Sequence, residues 1–536
     1  MSYQWSYGDI IEAVEKITPD DQPALIHGDR VTNWGDFIRR TNNLARNLLA
    51  SGVKPGEKVA FYMRNCPEYS EGIAAGFKAG LTHVNVNYRY IEHELIYLID
   101  NSDATVVIYQ SEFQHYVNEI KTQLPNVKSW LIVDDGKASS YEDMANHGDG
   151  SSPGIKHSPD DLLFLYTGGT TGMPKGVMWR HDDLFQVLGA GGNVRLGAPP
   201  CADMAELLER LEAKPRTVNL PLPPIMHGTG LLSAVGAMAS GGTCITLTSR
   251  SFEPELALEN ITKHKITQVT IVGDAFARPM LEVLDENPGK YDISSVGVIN
   301  SSGVMWTKEI KAGLLKHNEN LLLSDAFSSS EAIGIGTSLM TKDQTIDVAK
   351  FALGPNCKVF SENLKEVTPG SGESGMVAVK GFLPIGYYKD QEKTDKTFIV
   401  IDDIRYSIPG DWVRVEDDGS LTLLGRGSNC INTAGEKVYP EEVEEALKFH
   451  QAIADALVVG VKDEKWGQSI TAVIQPHEGC VIDELALKEF SKKYLAAYKV
   501  PKKILIKEDL NRAPNGKADY KSIQEYAEQQ LGINQT

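Results

Sequence analysis

The sequence is poor in what several function classes require. Its six cysteines, Cys66, Cys201, Cys244, Cys357, Cys430 and Cys480, lie far apart with no Cys-x-x-Cys pair. A disulfide framework or a thiolate metal site needs closely matched cysteines, so neither is expected, and a reducing compartment, the cytoplasm, is. No Lys/Arg block occurs: 53 basic residues are scattered among 72 acidic ones, for a net charge of −19. Nucleic-acid backbones are gripped by clustered cations that displace counterions, so this balance argues against a nucleic-acid partner. Long apolar runs are missing too. The longest weakly polar stretch, Leu231 to Thr248, is broken by Ser233, Gly236, Ser240, Gly241 and Gly242, which makes it a poor membrane span. The first residues lack the basic flank and apolar core of a signal peptide, and the closing Gly-Ile-Asn-Gln-Thr is no retention or peroxisomal signal. No integral membrane segment is expected.

What is present is an ordinary globular composition, 42% hydrophobic and 23% charged, on a chain of 536 residues that is long enough for several units. In residues 37 to 49, Phe37, Thr41, Leu44, Ala45, Leu48 and Leu49 recur at spacings of three and four before Gly52, which predicts an amphipathic helix. Strand patterns at 58–63 and 106–109 flank helical stretches such as 69–79, and the same rhythm returns at 269–272, 296–300 and 321–324. Strands alternating with helices imply βαβ units and largely parallel sheets, here in two α/β lobes. From about 354 to 424, short alternating segments punctuated by glycines predict a small β-barrel-like unit, and beyond Gly425-Arg426-Gly427-Ser428 a compact α+β tail. The expected fold class is therefore α/β, with a large N-terminal domain (1–426) and a small mobile C-terminal domain (427–536).

One loop stands out. Tyr166-Thr-Gly-Gly-Thr-Thr-Gly-Met-Pro-Lys-Gly176 follows the apolar run 162–165 and offers backbone N–H groups, hydroxyls and one lysine on a short concave path. Such nests bind anions, and glycine lets the backbone approach phosphate oxygens closely. A Walker A loop is excluded, because that motif needs Gly-Lys-[Ser/Thr] where this chain has Pro174-Lys175-Gly176.

The same loop resembles the phosphate loop of the adenylate-forming superfamily, which includes acyl-CoA synthetases, peptide-synthetase adenylation domains and beetle luciferases. The family usually has serine at Gly168. Its other signatures follow in order: Pro223-Pro-Ile-Met-His-Gly228 is similar to the substrate motif, Ser302-Gly303-Val304-Met305 to the adenine-facing loop, and Phe327-Ser-Ser-Ser-Glu331 to the Tyr-Gly-x-Thr-Glu segment. Further on, Gly372-Glu373 through Gly381, Gly410-Asp411-Trp412, Gly425-Arg426, Gly435 through Glu444, and Arg512-Ala-Pro-Asn-Gly-Lys517 resemble the remaining motifs.

The resemblance implies a division of labour. Thr167, Gly168, Gly169, Thr170, Thr171, Gly172 and Lys175 would hold the β- and γ-phosphates of ATP; Ser302, Gly303, Val304 and Phe327 would face adenine. Asp411 would accept the ribose hydroxyls, with Arg426 nearby, and Glu331 beside Ser330 would take Mg²⁺. Lys517 would bridge the attacking carboxylate and the α-phosphate, where positive charge stabilises the transition state. The tail would swivel about Ser428, where the family commonly has Asp or Lys, and bring Gly435 to an incoming CoA arm. Without these companions each residue has a bland reading, such as a core Phe327, a turn-capping Asp411 or a surface Lys517.

On the acid side, His227 stands where amino-acid-activating relatives usually carry an aspartate, which disfavours amino acids. Ser328 replaces the bulky Trp of acetate-activating relatives, and small residues fill 228–242. The resemblance therefore implies a deep pocket, lined by His227, Gly228 and Ser328, for a medium- or long-chain or bulky steroid-type acid, although small residues also serve tight backbone packing. An AMP-forming acyl-CoA ligase using ATP and CoA is expected. The alternatives are a stand-alone adenylating enzyme serving a carrier protein or oxygen, and a non-catalytic nucleotide binder. No carrier-like domain follows Lys517, which favours free CoA. A homodimer is a family-level expectation only.

Overall fold

The computed structural model describes residues 3–167, 173–193, 198–304, 306–343, 350–429, 431–433, 436–463, 467–495, 497–513 and 516–533. The chain divides into two compact units, one formed by Met1–Val348 with Lys380–Ser407, the other by Ala349–Val379 with Ile408–Thr536.

The first unit contains two sheets of the expected α/β type. One is seven-stranded, in the order Gly386–Tyr387, Lys175–Arg180, Leu162–Thr167, Thr82–Val86, Lys58–Tyr62, Ala104–Gln110, Ser129–Val133. Its five last strands are parallel, and the hairpin 162–180 and the short strand 386–387 close one edge antiparallel. In the other, the strands Pro23–His27, Thr243–Thr246, Val218–Pro221, Gln268–Ile271, Val298–Ser302 and Leu322–Phe327 run parallel, flanked by antiparallel Arg30–Asn33 and Gly336–Met340. Parallel strands need crossover helices on their faces, which cover both sides of the strands: Phe61, Val84, Ile108, Leu163, Phe164 and Leu323 are fully buried. The predicted helix is Trp34–Ala50, and Phe37, Thr41, Leu44, Ala45 and Leu48 form its buried stripe.

In the second unit, Cys357–Phe360, Ser374–Lys380, Asp411–Val415, Leu421–Arg426 and Lys350–Leu353 pair in that order as an antiparallel sheet. The expected barrel-like closure is not found: among the described residues no ladder joins the two end strands, so the sheet is open. The rest of this unit packs helices Pro440–Lys448, Glu484–Ser491 and Tyr520–Gln530 against the long pair Ile453–Asp463 and Gly467–Pro476, an α+β arrangement. Among the described residues no helix is long and apolar enough to cross a membrane, and Cys66, Cys201, Cys244 and Cys357 are buried and Cys480 exposed, none of them in a disulfide.

Candidate functional site

In the first unit the motif residues gather at the C-terminal ends of parallel strands, where open α/β sheets bind ligands. Thr167 ends its strand and lies opposite Lys175, which opens the next one, so the Gly/Thr loop bridges an antiparallel hairpin. Gly168, Gly169, Thr170, Thr171 and Gly172 lie outside the described residues. Lys175 Nζ is 2.9 Å from Asp390 Oδ2, both half-buried, and that hydrogen bond raises the lysine above its ordinary pKa.

Ser302 is in register with Ala326 on the neighbouring parallel strand, so the Ser302-Gly303-Val304 turn and Phe327 leave adjacent strand ends. Gly303 has φ of 101°, in the left-handed region that favours glycine. Phe327 is buried, and Val304 packs against the first unit's apolar cluster that includes Val272, Ile299 and Trp306.

The segment after Phe327 is held by its own hydroxyls. Ser328 Oγ accepts from the Gly334 amide (3.2 Å) and Ser329 Oγ from the Ala332 amide (3.1 Å), which folds the chain tightly enough to turn Glu331 inward. Glu331 is 8% exposed. Three donors from distant elements fix it: Trp179 Nε1 to the Ser330 carbonyl (2.9 Å), Ser407 Oγ to the Glu331 carbonyl (2.7 Å) and Tyr387 OH to Glu331 Oε1 (2.7 Å).

Could these residues hold a divalent cation? Among the described residues no group of three or more His, Cys, Asp or Glu is fit to do so unaided. Mg²⁺ prefers oxygen and keeps several waters, so one carboxylate and neighbouring hydroxyls suit it when phosphate oxygens complete the shell. Glu331 with Ser330 is such a donor set.

On the acid side, His227 precedes the helix Gly228–Ala239, with its amide donating to the Pro224 carbonyl (3.0 Å) and its carbonyl accepting from Leu231 (2.8 Å). The small residues here divide by role. A side chain at Gly228 would meet only Leu165 Cδ1 at 3.8 Å and one at Gly236 would meet nothing within 4 Å, whereas one at Gly230 would clash with the Pro224 carbonyl (2.4 Å) and one at Gly242 with Thr217 (2.5 Å). The helix thus leaves an open face at 228 and 236 and is packed tightly behind.

In the second unit, buried Asp411 pairs across the ladder with Arg426, and the Gly427 amide donates to the Gly410 carbonyl (3.0 Å), so the ribose candidate and the start of the hinge turn are cross-strand neighbours. Ser428 lies in the single turn Gly427–Asn429. Gly435 lies outside the described residues. Lys517 is exposed on a loop closed by Ala513 N to the Lys517 carbonyl (2.9 Å) and by Gly516 N to the Ala513 carbonyl (2.8 Å). Arg512 anchors that loop through two hydrogen bonds to Asp455 (2.5 and 2.9 Å) and one to the Gly516 carbonyl (3.1 Å).

Sequence reasoning missed Tyr387, Asp390 and Arg512 as partners. Tyr387 reads as one more core aromatic, and its contact with Glu331 spans 56 residues.

The strand ends of two largely parallel sheets thus carry the flanks of the Gly/Thr loop, a pinned carboxylate and the Ser302–Val304 turn, the edge at which open α/β sheets bind ligands. The AMP-binding enzyme family matches residues 11–388 and the AMP-binding enzyme C-terminal domain matches residues 442–517, and the chain belongs to this adenylate-forming family. A medium/long-chain-fatty-acid–CoA/3-oxocholest-4-en-26-oate–CoA ligase of Mycolicibacterium smegmatis is 38% identical over 533 residues, covering 97% of this chain and 96% of that protein. A 3-oxocholest-4-en-26-oate–CoA ligase of Rhodococcus rhodochrous is 39% identical over 545 residues, covering 98% and 96%. The fold matches the crystal structure of the anthranilate CoA ligase AuaEII in complex with anthranoyl-AMP, with a TM-score of 0.85, 20% identity and 99% of both chains covered.

Proposed function

We propose that this chain is an AMP-forming acyl-CoA ligase acting on a medium- or long-chain fatty acid or a bulky steroid-type acid. The observation that carries the reading is similarity over nearly the whole length to CoA ligases for such acids, at 38 and 39% identity. The room at Gly228, beside His227, where a side chain would meet only Leu165 Cδ1 at 3.8 Å, supports a large acyl group.

In the first half-reaction a carboxylate oxygen attacks the α-phosphorus of ATP while the bond to pyrophosphate breaks; in the second, the CoA thiolate attacks the acyl carbon and AMP leaves. Thr167, the residues 168–172 and Lys175 grip the terminal phosphates, with Lys175 exchanging Asp390 for phosphate oxygens. Phe327 and the Ser302–Val304 turn hold adenine, and Asp411 accepts the ribose hydroxyls. Glu331, beside Ser330, would hold Mg²⁺ together with phosphate oxygens, and the ion's part is to neutralise phosphate charge. Lys517 bridges carboxylate and α-phosphate during adenylation and is then withdrawn as the tail, 427–536, rotates about Ser428 and presents Gly435 to CoA. His227, Gly228 and Ser328 bound the acyl site. The cytoplasm and a homodimer belong to the same reading.

The test is to incubate the protein with ATP, Mg²⁺, CoA and a panel of acetate, fatty, steroid side-chain and amino acids, and to weigh the products by mass spectrometry. Thioesters of the fatty or steroid acids are expected. Products from amino acids alone, or adenylates that never become CoA thioesters, contradict the reading.

A further inference from the structure

We propose that Tyr387 is a positioning residue that sets the Glu331 carboxylate for a metal-bound nucleotide, an inference that rests on the assignment of Glu331 given above. The Tyr387 hydroxyl donates to Glu331 Oε1 at 2.7 Å, and both side chains are buried, at 4% and 8% exposure. Among the described residues no hydrogen bond engages Oε2, so the phenol fixes one oxygen and leaves the other to face a cation.

The tyrosine is itself held. Its backbone pairs with Val177, two residues beyond Lys175, and its amide donates to Thr394 Oγ1 (2.8 Å). The ring packs near Phe398, with centroids 6.0 Å apart, and Lys393 Nζ lies 4.2 Å over it. Asp390, three residues on, meets Lys175. One short segment, 386–394, therefore touches both the phosphate-side lysine and the metal-side carboxylate.

The donor's chemistry matters. A lysine or arginine in this place would orient Glu331 but cancel its charge, which is what attracts a cation. A phenol is a neutral donor and orients the carboxylate without cancelling it. With the backbone pinned by Trp179 and Ser407 as well, the carboxylate is set before metal and nucleotide arrive.

Tyr387→Phe removes only the hydroxyl and keeps the ring. The experiment is calorimetric titration of ATP into the full chain, without acid or CoA, across a Mg²⁺ series and in EDTA. For Tyr387→Phe the half-saturating Mg²⁺ concentration should rise about 10- to 100-fold, the range expected when one hydrogen bond to a charged group is lost, with ATP binding in EDTA unchanged. Glu331→Gln serves as the control. If Glu331→Gln shifts the Mg²⁺ dependence and Tyr387→Phe does not, the positioning role is overturned while the metal assignment stands. If neither shifts it, the metal assignment itself fails. Should Tyr387→Phe not fold, Ser407→Ala, which frees the Glu331 carbonyl, carries the test: a rise in half-saturating Mg²⁺ supports preorganisation of Glu331, and an unchanged value overturns it.

Discussion

Glu331 and Lys517, the two charged residues assigned the most chemistry, are held in opposite ways. Glu331 is buried, with donors on both flanking carbonyls and on one carboxylate oxygen, contributed by residues 179, 387 and 407. Lys517 has a fixed backbone, closed by Ala513 and Gly516 over an Arg512–Asp455 base, but an exposed side chain. A group that must wait in one place gains from a locked rotamer, since preorganised charge costs no reorganisation during reaction. A group that must arrive and withdraw gains from a rigid base that travels with it. The contrast gives physical content to the two-step reading, and it can be broken at either end.

The largest expected effect of one substitution on stability comes from breaking the base. Burial pushes the Asp455 carboxyl up, and its hydrogen bonds from Arg512 more than offset this, leaving it below the ordinary carboxylate range. Asp455→Asn would leave a half-buried guanidinium without its counter-charge, a loss of about 1–3 kcal/mol for a pair partly screened by solvent. Urea unfolding followed by hydrogen exchange should show the loss in residues 453–533, with the first unit unaffected. Uniform loss over both units would mean that the base is not local.

A second effect separates the units by pH. Burial holds His83 and His181 of the first unit neutral, each lowered to about 3. Their folded pKa values are depressed, so their stabilisation is present above pH 6.5 and is lost as pH falls towards 3, by roughly 2 kcal/mol per histidine between pH 6.5 and 5. Asp325, pushed up to about 6 by burial although Lys311 pulls it down, opposes them in part. In the second unit burial pushes Glu444 up to about 8, and Glu441 adds to it. A raised carboxyl works the other way: its contribution is present below its unfolded value and is lost as pH rises through about 8. Region-resolved hydrogen exchange from pH 7 to 5 should show protection falling in the first unit and not in residues 440–530. His83→Leu should flatten the fall, and a parallel fall in both units would refute the assignment of sign.

Much of this was legible from residue order. The 3.6-residue stripe from Phe37 to Leu48 and the apolar runs at 58–63 and 321–324 announce helix and parallel strands because burial imposes their periods. The signatures place Thr167, Lys175, Glu331 and Asp411 at strand ends or in the turns beside them. What pins them was not legible: Trp179 reaches Ser330 across 151 residues and Ser407 reaches Glu331 across 76. No local pattern marks such a partner, since Trp, Ser and Tyr are as common in ordinary cores and turns. The small residues of 228–242 were ambiguous for a similar reason, because glycine looks the same whether it borders open space, as at 236, or admits a backbone, as at 230.

The most direct test of the central claim, one fixed and one delivered charge serving two half-reactions, is to measure Lys517→Ala in each half separately. The account predicts that ATP–pyrophosphate exchange falls by about 10²–10³ or more, as for loss of a preorganised transition-state charge, while thioester formation from supplied acyl-AMP and CoA stays within a few-fold of the unmodified protein. Exchange that continues at the original rate, or equal loss in both halves, would contradict it.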